Sequence, residues 1–434
     1  MRFQIETWAD LDADSQARLI ERPAQKLDVD IRDRVQSILG RVREQGDAAL
    51  KALTLELDGA RLDDLAVDDA ERRQASEALD GAALAAIDIA IDNVRRFHEA
   101  QQPPAVAVET MPGVRCERVT QPLDAVGLYV PAGTAPLPSA AIMLAVPAAI
   151  AGCPVRVLCT PPRPDGTADP AVVVAASRAG VDRIYKVGGA QAVAAMAYGT
   201  ESIPAVGKIF GPGNAWVTAA KSIVSADPNG AAIDMPAGPS EVLVIADGSA
   251  SAAFVAADLL SQAEHGIDSQ VILVTTDAAF AAQVGAEIER QLESLSRKEI
   301  AAEAIRNSRA IVVESLDVAV AVSNRYAPEH LILQTASPRE LLAGIRNAGS
   351  VFVGPWTPES VGDYCSGTNH VLPTYGYARN YSGLGLDQFM RHMTIQELSR
   401  EGLEALGPAV ITLAGLEGLD AHASAVSRRL RQSP

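Results

Sequence analysis

The stretch Ala125-Val126-Gly127-Leu128-Tyr129-Val130-Pro131-Ala132-Gly133 decides how this chain folds. A short apolar run rich in strand formers ends in a Pro/Gly turn, and Ala-rich helical sequence follows. No charged residue lies between Ala125 and Val155. A membrane span is excluded by the five prolines and several glycines of that segment, so strands, turns and a buried helix beside a ligand crevice are expected. Outward along the chain the pattern recurs. Strands are predicted at 125–130, 155–159, 183–187, 242–246, 271–275, 310–313 and 350–353, with helical segments between most of them. This alternation is that of a parallel sheet covered by helices on both faces, so the fold class is α/β. Asp234-Met235-Pro236-Ala237-Gly238-Pro239-Ser240 is rich in turn formers and is expected to join two such units.

The flanks differ. Ile31, Val35, Ile38, Leu39 and Val42 repeat at helical spacing until Gly46-Asp47 breaks the run. Leu84, Ile87, Ile91 and Val94 form a second stripe, which His98 continues as a structural histidine. The last fifty residues are expected to return to helix, at 395–400 and 416–430.

The chain has 434 residues, enough for two or three domains. Its 48% hydrophobic and 21% charged residues are those of a folded globular protein. A formal charge of −17 excludes the basic surface that nucleic-acid binding needs, but backbone amides can still hold a phosphate-bearing cofactor. Cys116, Cys153, Cys159 and Cys365 contain no CxxC pair, so a disulfide framework is not expected and reduced cytosolic thiols are. The charged start Met1-Arg2-Phe3-Gln4-Ile5-Glu6 does not resemble a signal peptide.

Four of the six histidines lie in short polar motifs of the C-terminal half. Ser261-Gln262-Ala263-Glu264-His265-Gly266 ends a helical run, with Gln262 and His265 three apart on one face. Either they pair on a divalent ion, or the motif is a helix end with Gly266 beyond it. Asp363 and His370 fall in a polar loop after a strand, where α/β proteins keep sites and where Asp and Asn also build turns. Glu329-His330 suits proton transfer on a loop, or a first helical turn after Pro328. Glu417 and His422 are five apart, on neighbouring helix faces, and read locally as solvated charge. Neither Gly-x-Gly-x-x-Gly nor a Walker loop occurs. Looser glycine loops at 127–133, 187–191 and 210–214 each follow or end a strand-like run, which suggests a nucleotide crevice or plain strand-to-helix turns.

Together these motifs resemble the histidinol dehydrogenase family. The resemblance rests on Ile233-Asp234-Met235-Pro236-Ala237-Gly238-Pro239-Ser240-Glu241-Val242-Leu243, on Asp258-Leu259-Leu260-Ser261-Gln262-Ala263-Glu264-His265, and on Asn324-Arg325-Tyr326-Ala327-Pro328-Glu329-His330-Leu331. Ser366-Gly367-Thr368-Asn369-His370-Val371-Leu372-Pro373-Thr374, with Phe389-Met390 and Met393-Thr394, extends it, so that it runs from about Val94 to the C-terminal helix. It implies two incomplete Rossmann-like parallel-sheet domains with helical N-terminal and C-terminal segments, divided at 1–124, 125–236, 237–381 and 382–434.

The activity implied is a zinc-dependent, NAD-linked, four-electron oxidation of L-histidinol to L-histidine through the aldehyde, in the cytoplasm. By motif, one zinc per subunit would be held by Gln262, His265, Asp363 and His422. Glu329 and His330 would move protons, and Ser240, His370 and Glu417 would join the zinc ligands and Glu329 around the substrate. Tyr129, Gln191 and Asn214 would line the NAD site. The family is dimeric, with the Glu417–His422 segment reaching the partner's site; neither a nucleic acid nor a membrane is an implied partner. Histidinol's imidazole and amine are both good zinc donors. Cys365 is read as a bystander, because no neighbouring His or Lys motif marks a reactive thiolate. His392 is read as a surface or packing residue. A metallohydrolase could use the same metal set without a cofactor, but the glycine loops and paired α/β units speak against it.

Overall fold

The structure, a computed structural model, describes residues 3–22, 29–132, 135–236 and 238–431. Gly133 and Ala237, which belong to the motifs above, lie outside the described residues. Two parallel sheets carry the fold. The first runs, edge to edge, Arg183–Lys186, Val155–Thr160, Ala125–Tyr129, Lys208–Phe210 and Ala232–Ile233. Its connections go outward to one side from Ala125–Tyr129 and then return to the other side at Lys208–Phe210. The strand order therefore reverses between those two strands, leaving a crevice beyond their carboxyl ends.

The second sheet runs Gln4–Thr7, Arg309–Val312, Gln270–Thr275, Glu241–Ala246, His330–Gln334 and Ser350–Val353, again all parallel. Its three central strands are buried along their whole length, the pattern of a sheet covered on both faces. Alternation separates the two cores. Val242, Val244 and Ala246 pack with Val255 and Leu259 of the helix Ala252–Ala263. Leu243 and Ile245 point the other way, toward Ala319 and Val320 of the helix Leu316–Tyr326.

The terminal segments are not wholly helical. Gln4–Thr7 adds an edge strand to the second sheet. Val106–Met111, Val114–Pro122 and Met390–Leu398 form a separate antiparallel sheet. The expected helix at 395–400 is thus corrected: Ile395 through Leu398 pair with Glu117 through Val114, and helix begins only at Arg400, behind the capping side chain of Ser399. Long-range pairing overrode the local pattern there. The remaining chain closes with the helices Arg400–Leu416 and Asp420–Arg431. The expected break at Gly46 is present, as a left-handed residue (φ 55°) inside Val29–Asp58. The uncharged segment after Ala125 forms the strand Ala125–Tyr129 and the buried helix Pro138–Ile150, and among the described residues no helix is long and apolar enough to cross a membrane.

Candidate active site at the meeting of the two sheets

The candidate site lies at the amino ends of the second sheet's strands, not in a loop at their carboxyl ends. The reason is topological. The helix Ala252–Ala263 follows the strand Glu241–Ala246 and runs back antiparallel to it, so its last turn delivers Gln262 and then His265 to the strand's starting edge. The short helix Glu359–Tyr364 returns from Ser350–Val353 in the same way and carries Asp363. Gly362 lets this helix lie on Phe352: a Cβ there would stand 2.5 Å from the ring. Phe352 in turn packs against the His330 imidazole, with centroids 5.9 Å apart.

Glu329 and His330 enter from the left-handed Ala327 (φ 56°), which ends the helix Leu316–Tyr326, and His330 opens its strand. Both are buried. The expectation of a loop position is therefore corrected, because parallel pairing with Glu241–Ala246 draws His330 into the ladder. Glu241 holds the pair through its own backbone: its N–H donates to Glu329 Oε2 (2.9 Å), and its carbonyl faces His330 Nδ1 at 3.0 Å. A carbonyl can only accept, so Nδ1 is the donor in this contact. Nε2 is buried without a hydrogen-bond partner and lies 3.6 Å from Asp363 Oδ1. Glu241's side chain is anchored by Arg22, with contacts of 2.5 and 2.8 Å.

The electrostatics are strongly perturbed. Burial pushes the Glu329 carboxyl up to about 8, against the opposing pull of His330. Burial disfavours the His330 imidazolium, but the surrounding Glu329, Glu359 and Asp363 carboxylates outweigh it and raise its pKa well above the ordinary value. Asp363 is the reverse case: burial would raise it, yet the adjacent His330, with His370 and His265 nearby, holds it low. Burial lowers His370, whose Nε2 is also orphaned. His265 keeps one side open to solvent, while its protein surroundings still favour the neutral ring.

Donor atoms of His265, Asp363 and Glu359 converge within 4.8 Å of one another, close enough to surround one ion. Ser240, Glu329 and His370 line a cavity of about 70 Å³ beside them. Gly211, Gly213, Lys221 and Asp234 form its other wall, so the carboxyl end of the first sheet meets the amino end of the second there. At Gly211 (φ 120°) a Cβ would stand 2.2 Å from the Tyr129 carbonyl oxygen. Asp234 accepts from the Gly211 N–H (2.8 Å) while Lys221 donates to the Gly211 carbonyl (2.9 Å) and pairs with Asp234.

At the first sheet's crevice, Tyr129 ends its strand, and its hydroxyl accepts from the Gly189 N–H (3.0 Å). Gln191 lies in the first turn of Gly189–Tyr198, with a buried side-chain oxygen that has no partner. Asn214 caps Ala215–Ala226 by accepting from the N–H groups of Trp216 and Val217. All three sit at carboxyl ends or helix starts around the strand-order reversal.

Within one chain, Ser240, Gln262, His265, Glu329, His330, Asp363 and His370 come together. Glu417 and His422 do not: they stand exposed at the junction and start of the last two helices. His98 is fully buried, with Nδ1 2.8 Å from the Val94 carbonyl and Nε2 3.4 Å from Asn369. His392 is exposed beside Thr120. Cys365 is half-buried, and its carbonyl accepts from Asn93. Gly266 does not adopt the left-handed cap conformation. Sequence reasoning missed Glu359, although its spacing of four from Asp363 on a helix was a usable signal. Arg22 and Lys221 carried no local signal, and Asp234 and Glu241 entered only as members of the quoted 233–243 motif.

The histidinol dehydrogenase family model matches residues 20–430. The histidinol dehydrogenase of Vibrio parahaemolyticus is 55% identical over 425 residues, covering 98% of each chain. That of Xanthomonas axonopodis pv. citri is 54% identical over 428 residues, covering 99% of each. The crystal structure of histidinol dehydrogenase from Elizabethkingia anophelis superposes with a TM-score of 0.95 at 46% identity, over 99% of this chain and 98% of that one. A two-sheet α/β protein with these matches is an oxidoreductase. More particularly, the chain belongs to the histidinol dehydrogenase family.

Proposed function

We propose that the chain oxidises L-histidinol to L-histidine through the aldehyde, the final step of histidine biosynthesis, with zinc and NAD. The observation that carries this reading is the small cavity shared by Ser240, Glu329 and His370 with the Gly211–Gly213 loop of the other sheet. Nitrogen and oxygen donors beside it fit zinc: His265 and Asp363 converge, Gln262 is buried next to them, and the imidazole Nε2 atoms of His330 and His370 lack partners. Held by these residues, zinc would supply Lewis-acid polarisation of the substrate's heteroatoms and offset the carboxylate charge around His330. The helix starts at Gly189 and Asn214, with Tyr129, would hold NAD, which would supply the hydride acceptor that both oxidation stages need.

The chain's own residues do the rest. His330 takes the alcohol proton at Nε2, because Nδ1 is committed to the Glu241 carbonyl. Glu329, with its pKa near 8, takes a proton from the water that attacks the aldehyde carbon. His330 takes the proton of the second stage. Ser240 and His370 orient the substrate from the cavity wall.

The proposal divides the chain into a helical-rich segment 1–124, an NAD unit 125–236, a zinc and substrate unit 237–381, and a dimerisation segment 382–434. It includes a cytoplasmic homodimer in which Glu417 and His422 of one copy complete the zinc and substrate set of the other. Their exposure supports this, as do Leu413 and Leu416, left 60% and 80% exposed on the preceding helix. The test is absorbance at 340 nm on adding histidinol and NAD, before and after chelation. Failure to form NADH refutes the dehydrogenase reading, and full activity in chelator refutes the zinc role.

A further inference from the structure

Glu359 has no part in the reading above, yet it is 1% exposed and sits at the centre of the site. It opens the helix Glu359–Tyr364 one turn before Asp363, so both carboxylates project from one face. Gln262, also 1% exposed, meets it from the end of Ala252–Ala263. One orientation of the Gln262 amide gives both of its arms complementary partners, and in it the arm against Glu359 is the NH₂. In that orientation the nitrogen donates to both Glu359 oxygens, to Oε2 at 3.0 Å, and stands 3.1 Å from His330 Nδ1. The other arm, which faces donor groups, is then the oxygen. Reversal would set two oxygens against each other in a buried space, where unpaired acceptors are costly.

A neutral amide coordinates through its oxygen, because the nitrogen lone pair is delocalised. We propose that Glu359 is a positioning residue of the metal centre: it locks the Gln262 side chain by accepting from its NH₂ and so leaves the oxygen as the only arm free for the metal. The inference rests on the reading of Gln262, His265 and Asp363 as metal ligands. Glu359 acts through Gln262, as outer partners of metal ligands do, where their loss costs about 10–100-fold in metal affinity.

The test titrates each holoenzyme with a chelator of known zinc affinity and measures retained zinc by atomic absorption, with thermal melting as a check on folding. Glu359→Ala is expected to weaken zinc binding by about 10–100-fold. Glu359→Gln, which keeps an acceptor oxygen, is expected to stay within about threefold of the parent and to serve if the alanine variant does not fold. Gln262→Ala combined with Glu359→Ala is expected to lose no more than Gln262→Ala alone, because the second change removes a support with nothing left to hold. Multiplying losses in the double variant, or Glu359→Gln falling as far as Glu359→Ala, overturns the proposal and makes Glu359 a ligand in its own right. Unchanged zinc affinity in Glu359→Ala also overturns it. A parent protein that retains no zinc removes the ligand reading itself, with this inference.

Discussion

Replacing Gly211 by alanine probes how one backbone position couples the two sheets. The residue adopts φ 120°, and a Cβ would meet the Tyr129 carbonyl oxygen at 2.2 Å and Leu144 Cδ1 at 3.1 Å. The left-handed backbone alone costs about 1–2 kcal/mol for an L residue. The close atom is backbone in a fully parallel sheet, so the loop must move rather than the strand. Moving it breaks the Gly211 N–H bond to Asp234 and the Lys221 bond to the Gly211 carbonyl, both charge-assisted and worth about 1.5–3 kcal/mol each. The expected loss is about 4–8 kcal/mol if all three are forfeited, a large part of a domain's usual 5–15 kcal/mol. Partial relaxation lowers the stability cost but displaces a wall of the cavity that holds Glu329 and His370. Either way the loop cannot keep both its place and its bonds. Urea unfolding and NAD titration by fluorescence measure the two outcomes. Gly40→Ala is the control, because nothing lies within 4 Å of its Cβ position and its helix should gain about 0.5–1 kcal/mol. A Gly211→Ala protein with parental unfolding midpoint and parental NAD affinity would refute the reasoning.

Three further outcomes are expected. Arg22→Leu leaves Glu241 buried without its guanidinium partner, a change that costs about 3–5 kcal/mol and loosens the strand start that holds Glu329 and His330; a fall in denaturation midpoint below about 1 kcal/mol would contradict it. His265→Asn should lose zinc, whereas His330→Asn should keep zinc and lose turnover, so equal metal content and equal rates in the two variants would remove the division of roles. Burial pushes the Asp258 carboxyl up to about 7, against its hydrogen bond from Gln334. The folded state therefore binds more protons than the unfolded one between about pH 4 and pH 7, and stability falls as pH rises through that window. Asp258→Asn should gain on the parent across it and run parallel above; melting curves whose difference is flat from pH 4 to 7 would exclude this.

Local pattern made the parallel sheets legible. Predicted strands at 125–130, 155–159, 242–246 and 271–275 agree with the structure to within a residue at each end, because buried parallel strands are continuous apolar runs flanked by turns. The strand His330–Gln334 was not read, since it begins and ends on polar residues whose burial depends on neighbours far away in sequence. Lys208–Phe210 and Ala232–Ile233 are too short for any periodicity. Met390–Leu398 is mostly exposed and takes its form from pairing with Val114–Pro122, which no local window contains.

The sequence by itself determined the α/β class, the family, and the residue types available for metal and proton chemistry, because apolar period, turn chemistry and motif spacing are local properties. Tertiary structure alone decided where those residues meet. It placed Gln262, His265 and Asp363 at the amino ends of the second sheet by running their helices back along its strands. It chose Nδ1 as the protonated nitrogen of His330 by setting the Glu241 carbonyl 3.0 Å away. It also buried Glu359 beside Gln262, where only one orientation gives both arms of the amide complementary partners. Such choices depend on atoms separated by about ninety residues or more, and desolvation makes each of them expensive to reverse.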